Sequence, residues 1–282
     1  MSPLEIRISE HAGYCWGVER ALKLTRQAAE HAEGPIHTLG PLIHNPAVIA
    51  ALAQQGIGVV DDPGAKTAGT LIIRSHGVPR ETMADLAMRA IRVVDATCTF
   101  VKAAQEKAAR LREEGYRVVI LGEPAHPEVL GIRSYAGPNA LVVENPQDLP
   151  ADVGGQRVGV VVQTTQSHER LAALAAALAP RVRELRVYNT ICSATERRQA
   201  AAVAMAAAVD VVLVVGGKNS GNTTRLAELC AAVQPRTHHI ESAEEIRAAW
   251  LEGAAIVGIT AGASTPPEQI EAAAARLREL VP

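Results

Sequence analysis

Short runs of branched aliphatic residues alternate along the chain with longer stretches rich in alanine, leucine and arginine. The longest runs, VGVVV and VDVVLVV, have the length and composition of buried strands, and the stretches after them have the composition of helices. Repetition of strand, turn and helix is typical of largely parallel sheets with helices on their faces. The sequence therefore predicts an α/β fold.

Polar residues in the strand-to-helix turns recur with a threefold pattern. Three turns carry a cysteine, and two further polar turns follow each of them, the first at a distance of 28 or 29 residues. The cysteine turns hold Cys15, Cys98 and Cys192; the next turns hold His44, His126 and Ser220; the third turns hold His76, Thr164 and Ser264.

This pattern predicts three similar lobes of three βα units each, over residues 16–97, 98–191 and 192–282. The N-terminal strand within residues 1–15 is expected to pack with the third lobe. Ligands of parallel sheets bind beyond the carboxyl ends of the strands. A pseudo-threefold trefoil would therefore bring the three cysteines to one central site. The alternative is that polar turns of this kind occur in any α/β protein.

Composition excludes several classes of function. The net charge is −2 over 282 residues and aromatic residues make up 2%, so neither a nucleic acid nor a membrane is an expected partner. The charged start MSPLEIRISE does not resemble a signal peptide, and no apolar run could span a bilayer. We therefore expect a cytoplasmic protein whose four cysteines are core thiols, nucleophiles or metal ligands rather than disulfides.

The three matched cysteines have the chemistry of iron–sulfur ligands. One thiolate from each lobe would hold three corners of a cubane cluster and leave one iron open. Zinc is the competing metal, although the chain lacks a CxxC pair. A lone nucleophilic thiol would explain one cysteine and leave the others unexplained. Cys230 has no counterpart in the other lobes and is predicted to be a core residue.

Neutral hydrogen-bonding side chains at the predicted helix starts suggest an anion site. Backbone N–H groups and the helix dipole attract phosphate at such positions, although each residue could instead be a cap or a turn former. The set comprises His44, His76, Ser220, Asn222 and Ser264.

The segment AHPEV places His126 and Glu128 after a strand, where Glu128 could act as an acid or simply favour the helix dipole. The H-x-E pattern also occurs in zinc deaminases, but the P-C-x-x-C that completes that signature is missing. The pair His238–His239 has no matched partner and is predicted to be a surface or cap element.

Nine motifs follow one another along the chain: GYCWGVERA, GPLIHNP, RSHGVP, DATC, AHPEVLG, QTT, TICSAT, GGKNSGNT and GITAGASTP. From about Tyr14 to Pro266 they resemble, in the same order, those of the 4-hydroxy-3-methylbut-2-enyl diphosphate reductase (IspH/LytB) family. The resemblance implies three α/β lobes around a 4Fe-4S cluster. It also implies the last step of the non-mevalonate isoprenoid pathway, a two-electron reductive dehydroxylation of a small allylic diphosphate to isopentenyl and dimethylallyl diphosphate. The implied electron donor is a ferredoxin or a flavodoxin.

The resemblance also implies a role for each site residue. The cluster ligands would be Cys15, Cys98 and Cys192, with one iron not bound by cysteine. Thr164 would lie near the substrate hydroxyl and Glu128 would deliver protons, with His126 beside them. The substrate-binding residues would be His44, His76, His126, Thr164, Ser220, Asn222 and Ser264, most of them at the diphosphate.

The chain departs from the usual family pattern at four positions, namely Thr99, Ala103, Gln105 and Gly221. Family members often carry proline, lysine, histidine and serine there. Three alternatives stay open at this point: a diverged paralogue that reduces or dehydrates a different small molecule, a non-catalytic iron–sulfur redox sensor, and a cysteine-dependent phosphate hydrolase.

Overall fold

The computed structural model describes residues 4–62, 64 and 68–280. Residues 1–3 of the predicted N-terminal segment, 63 and 65–67 of the predicted lobe 16–97, and 281–282 of the predicted lobe 192–282 lie outside this range. The strands are β1 (Glu5–Ile8), β2 (Ile36–Leu39), β3 (Ile57–Val60), β4 (Thr70–Ile73), β5 (Arg92–Asp95), β6 (Arg117–Leu121), β7 (Leu141–Val143), β8 (Arg157–Val162), β9 (Glu184–Val187), β10 (Val211–Val215), β11 (Thr237–Ile240) and β12 (Ile256–Ala261).

Most strands are followed by a helix, as the alternating pattern predicts. The α-helices of the described residues are α1 (Trp16–Glu30), α2 (Pro46–Gln54), α3 (Arg80–Ala87), α4 (Thr99–Glu113), α5 (Pro127–Ala136), α6 (His168–Leu178), α7 (Ser193–Ala206), α8 (Gly221–Val233) and α9 (Pro267–Leu280). No helix in the described ranges is both long enough and apolar enough to cross a membrane.

The strands form three separate sheets of four strands, and all the pairings are parallel. The strand orders are β1-β12-β10-β11, β3-β2-β4-β5 and β7-β6-β8-β9. The α/β class with three parallel sheets is therefore confirmed. Because carboxyl ends of parallel strands meet at one edge, each sheet gathers its polar turns on one side.

Each sheet has four strands, one more than the three βα units predicted for each lobe. Among the described residues, no α-helix directly follows the additional strands β3, β7 and β11. Each lies at the edge of its sheet and is only three or four residues long. Strand β11 reads THHI, which lacks the apolar run by which the central strands are recognised.

The apolar runs form cores on both faces of the sheets. In β10, Val211 and Leu213 pack in a cluster with residues of α9, whereas Val212 and Val214 pack in a cluster with residues of α7 and α8. This alternation follows from the two-residue period of a strand. Strand β6 behaves in the same way between α6 on one face and α4 and α5 on the other. Cys230 is fully buried in the β10 core, as predicted.

The chain divides into two compact units. The first comprises Met1–Glu19, Ile43–Ala51 and Ser193–Pro282 and contains the sheet of β1, β10, β11 and β12. The second comprises Arg20–Leu42 and Leu52–Cys192 and contains the other two sheets. Strands β2–β5 fall in the predicted lobe 16–97 and β6–β9 in lobe 98–191. Strand β1 pairs with β12 of lobe 192–282. The lobe bounds themselves stay a prediction.

Candidate functional site

The predicted polar residues all lie between the end of a strand and the first turn of the following helix. Cys15, Cys98 and Cys192 each stand directly before a helix, at α1, α4 and α7. The remaining turns connect β2 to α2 (His44), β4 to α3 (His76), β6 to α5 (His126), β8 to α6 (Thr164), β10 to α8 (Ser220) and β12 to α9 (Ser264). Their predicted placement at strand-to-helix turns is confirmed.

The two compact units divide these residues between them. The first unit contains Cys15, His44, Ser220, Asn222 and Ser264. The second unit contains His76, Cys98, His126, Glu128, Thr164 and Cys192.

The three cysteine turns share one backbone contact that repeats with the sheets. In each case the cysteine N–H donates to a carbonyl two residues beyond the end of a neighbouring strand, β12, β4 or β8. The bonds run from Cys15 to Ala263 (3.1 Å), from Cys98 to Ser75 (2.9 Å) and from Cys192 to Thr164 (3.0 Å). The cysteines therefore occupy equivalent positions in the internal repeat.

Two arginines add further support to the cysteine turns, and sequence reasoning missed both. In the second unit, Arg20 Nη1 donates to the carbonyl oxygen of Thr97, the residue before Cys98, at 3.2 Å. In the first unit, Arg198 is 3% exposed and its Nη2 donates to the carbonyl oxygen of Gly13 at 2.6 Å. Arg20 and Arg198 follow Cys15 and Cys192 by five and six residues. This similar spacing is the feature of the sequence that could have indicated the two arginines.

The donor set fits an iron–sulfur cluster. Each of the three cysteines offers a sulfur ligand at the amino end of a helix. Thiolate sulfur is the ligand that iron–sulfur clusters use. Cys230 differs, since its burial raises the pKa of its thiol to about 11. The residues therefore separate into three candidate ligands and one core thiol.

The carboxyl group of Glu128 and the hydroxyl group of Thr164 form a buried pair in the second unit. Glu128 lies in the first turn of α5 and is 2% exposed. One carboxylate oxygen accepts the backbone N–H of Thr164 at 2.6 Å, and the other accepts its hydroxyl at 2.9 Å. Burial raises the pKa of Glu128 to about 7, against the lowering effect of these two hydrogen bonds. A carboxyl with this pKa is suited to proton transfer near neutral pH.

His126 caps the same helix. Its Nδ1 accepts the backbone N–H of Glu128 at 3.1 Å, so the proton of the neutral ring lies on Nε2. The ring of His76 meets the ring of His126 edge to face, with centroids 5.4 Å apart. Gln163 stabilises the turn between β6 and α5, because its Oε1 accepts the backbone N–H of Glu123 at 2.9 Å. The second unit thus brings His76, His126, Glu128 and Thr164 into one neighbourhood.

Gln105, one of the departures from the family pattern, belongs to this neighbourhood. It is a buried residue of α4. A Cβ placed on Gly77 would lie 2.9 Å from Gln105 Nε2, and a Cβ on Gly131 would lie 3.0 Å from the same atom. The amide therefore packs between the turn of His76 and helix α5, close to both glycines.

The first unit gathers the turns of His44, Ser264 and Ser220. The Ser264 hydroxyl donates to the carbonyl oxygen of His44 at 2.9 Å. A Cβ on Gly217, in the turn before Ser220, would lie 3.2 Å from the same carbonyl. Asn45, which sequence reasoning missed, fixes the start of α2, since its Oδ1 accepts the backbone N–H of Val48 at 3.1 Å.

Asn222 is a buried amide with neither of its polar atoms satisfied. It is the second residue of α8, and Nδ2 and Oδ1 both lack a hydrogen-bond partner among the described residues. Leaving such a group unpaired costs about 1–3 kcal/mol. Ser220 caps the same helix, with its Oγ accepting the backbone N–H of Thr223 at 3.4 Å. Unpaired donors beside a helix amino end are suited to an anionic ligand.

Comparison with known proteins identifies relatives over nearly the whole chain. A family model described as LytB protein matches residues 6–278. The 4-hydroxy-3-methylbut-2-enyl diphosphate reductase of Geobacter metallireducens is 47% identical over 277 residues, which is 98% of each chain. The enzyme of the same name from Aquifex aeolicus is 43% identical over 280 residues, covering 98% of this chain and 97% of that one.

The solved structures that are similar to this chain include two reductases. One is (E)-4-hydroxy-3-methyl-but-2-enyl diphosphate reductase, described as the terminal enzyme of the non-mevalonate pathway. It is 43% identical with a TM-score of 0.73 and covers 98% of this chain and 99% of that chain. The other is the E-1-hydroxy-2-methyl-but-2-enyl-4-diphosphate reductase from Plasmodium falciparum. It is 23% identical with a TM-score of 0.88, covers 95% and 86% of the two chains, and supports the fold alone.

Proposed function

The chain belongs to the LytB protein family, and from that membership we propose that it is a 4-hydroxy-3-methylbut-2-enyl diphosphate reductase of the non-mevalonate isoprenoid pathway. In this reaction the allylic C–OH bond breaks and a C–H bond forms. Two electrons and two protons are consumed, and the hydroxyl oxygen leaves as water. The products are isopentenyl and dimethylallyl diphosphate.

The diphosphate is bound by neutral donors at helix starts. The proposed donors are His44, Ser220, Asn222, Ser264 and His76. The unpaired, buried amide of Asn222 supports this role, because a phosphate oxygen would satisfy the donor that the folded chain leaves without a partner. Neutral donors combined with a helix dipole bind an anion without creating a broadly basic surface.

Glu128 is the proton donor, and its burial with a pKa of about 7 is the observation that carries this proposal. The proton passes from Glu128 to the substrate hydroxyl directly or through Thr164 Oγ1, which lies 2.9 Å from the carboxylate. His126 presents its Nε2–H and orients the hydroxyl end of the substrate. A protonated hydroxyl leaves as water, which is a far better leaving group than hydroxide.

Cys15, Cys98 and Cys192 would hold a 4Fe-4S cluster with one iron not bound by cysteine. When bound, such a cluster supplies electrons and a Lewis-acidic iron. Arg20 and Arg198 hold the backbone next to two of these ligands. A small redox protein, a ferredoxin or a flavodoxin, would deliver the electrons. Since thiolate ligands need reducing surroundings, we place the enzyme in the cytoplasm.

The test is an assay of protein reconstituted with iron and sulfide without oxygen, with a chemically reduced dye as electron donor. The wild type should convert the hydroxylated diphosphate to the two products. Glu128→Gln should keep the brown cluster and its iron content and lose turnover, whereas the exposed Glu144→Gln should keep both. A loaded wild type that leaves the diphosphate unchanged would indicate a diverged paralogue, and an active Glu128→Gln would remove the acid assignment.

A further inference from the structure

The loop Gly216–Ser220 connects β10 to α8 and ends on one of the proposed diphosphate-binding residues. Its backbone conformation is constrained: Gly216 has φ +143°, and a Cβ there would lie 2.5 Å from Thr265 Oγ1. The loop has few hydrogen bonds of its own, one of them from Ser220 N to the Gly217 carbonyl at 3.0 Å. Its shape therefore depends on groups outside the loop.

Strand β11 and the residue after it provide three such contacts. Val215 is in register with Ile240, so the chain leaving β10 runs beside the chain leaving β11. The Gly216 N–H donates to the carbonyl of Ile240 at 2.9 Å, and His239 Nε2 donates to the Gly216 carbonyl at 2.9 Å. The Lys218 N–H donates to Glu241 Oε1 at 2.7 Å. Burial lowers the pKa of His239, which keeps this ring neutral.

The side chain of Glu245 fixes the backbone at Glu241. Its Oε1 accepts the backbone N–H groups of Glu241 at 2.7 Å and of Ser242 at 3.2 Å. Its Oε2 accepts Lys218 Nζ at 2.8 Å, so the lysine charge offsets one of the two carboxylates near the proposed anion site. Glu241, Glu245 and Lys218 thus form a closed network on the first unit.

Comparison with the equivalent loop after β6 shows that the contact to Lys218 is not a general feature of the internal repeat. The equivalent loop after β6 makes the same backbone bond, from Gly122 N to the Val143 carbonyl at 2.9 Å. Glu144 stands where Glu241 stands, and Asp148 Oδ2 accepts its N–H as Glu245 does in the other repeat. The counterpart of Lys218 is Pro124, which has no N–H to donate. The exposed Glu144 carboxylate therefore cannot accept a backbone N–H from this position of the loop.

We propose that Glu241 is a positioning residue, supported by His239 and Glu245, that holds the loop Gly216–Ser220 in the shape needed for diphosphate binding. This inference rests on the proposed function. A loop already fixed in its bound shape loses less conformational freedom when the ligand arrives, so the support contributes to affinity. Because the diphosphate does not react, the support should act on substrate binding rather than on the chemical step.

The test compares Glu241→Ala with Glu144→Ala in the cluster-loaded protein. Titration calorimetry with inorganic diphosphate gives an affinity that does not depend on turnover, and steady-state kinetics gives KM and kcat. Glu241→Ala should weaken diphosphate binding and raise KM about tenfold, the effect expected for loss of one hydrogen bond to a charged group, with kcat nearly unchanged. Glu241→Gln keeps an oxygen acceptor and should recover most of the affinity. Glu144→Ala should match the wild type.

Three results would overturn the inference. The first is a Glu241→Ala variant that binds diphosphate as tightly as the wild type. The second is a Glu144→Ala variant that weakens binding to the same extent. The third is a Glu241→Ala variant with a lower kcat at an unchanged KM, as a general loss of folding would give. A wild type that neither binds diphosphate nor turns over the substrate would instead overturn the proposed function, and this inference with it.

Discussion

The raised pKa of Glu128 predicts that the folded protein loses stability as the pH rises. In the unfolded chain this carboxyl ionises near its ordinary pKa of 4.5, whereas burial keeps it protonated up to about 7 in the folded protein. Between these values the folded state binds more protons, so the free energy of unfolding falls as the pH rises through the window. At about 1.4 kcal/mol for each pH unit, the loss is about 3 kcal/mol.

Glu128→Gln isolates this contribution. Glutamine has nearly the same size, and it can accept the Thr164 N–H with Oε1 and donate to the Thr164 hydroxyl with Nε2, but it cannot ionise. The stability of the variant relative to the wild type should therefore increase by about 3 kcal/mol from pH 4.5 to pH 8. Denaturant unfolding at a series of pH values measures the difference, with both proteins at the same iron content. The exposed Glu144→Gln serves as the control for replacing a glutamate by glutamine.

The direction of the effect is the decisive result. A difference that stays constant across the whole range would show that Glu128 ionises at the same pH in both states, and the argument from burial would be wrong. A relative stability that decreases with pH would show that the two hydrogen bonds from Thr164 outweigh burial and lower the pKa instead.

Three further changes test other parts of the structure. Asn222→Leu removes a buried amide without a partner, so the free energy of unfolding should stay level or rise by about 1 kcal/mol while calorimetry shows weaker binding of inorganic diphosphate; a clear loss of stability would contradict this reasoning. Cys98→Ser should lose bound iron in elemental analysis, whereas Cys230→Ala should retain it, and equal iron in both would refute the ligand assignment. Gly262→Ala would place a Cβ 2.0 Å from the buried Thr223 Oγ1 and should cost about 1–3 kcal/mol in denaturant unfolding; an unchanged midpoint would count against that packing.

The sequence pattern identified the central strands and the edge strands that lead into the cysteine turns, but it missed the edge strands β3, β7 and β11. Strands β6, β8 and β10 carry continuous apolar runs because helices cover both faces of each sheet. Strand β11 includes two histidines and pairs on one side only. An edge strand needs a neighbour to define it, and that neighbour is specified by the fold rather than by the local sequence.

Local sequence patterns did not predict the contacts that support the site. Arg198 reaches the carbonyl of Gly13, 185 positions away in the chain. His239, interpreted from the sequence as a surface or cap residue, is half-buried and bonds to Gly216, and that interpretation was wrong because nothing near it in the sequence indicates the neighbouring strand. Such pairs depend on which segments the sheets bring together.

The sequence by itself determined the strand–helix units and the positions of the polar turns, because strand and helix periodicity and turn chemistry act over a few residues. It therefore placed Glu128 and Asn222 correctly at helix starts. Only the tertiary structure decided that Glu128 is buried against Thr164 and that the amide of Asn222 has no partner. Desolvation and hydrogen-bond satisfaction depend on everything packed around a group, and that surrounding comes from distant parts of the chain.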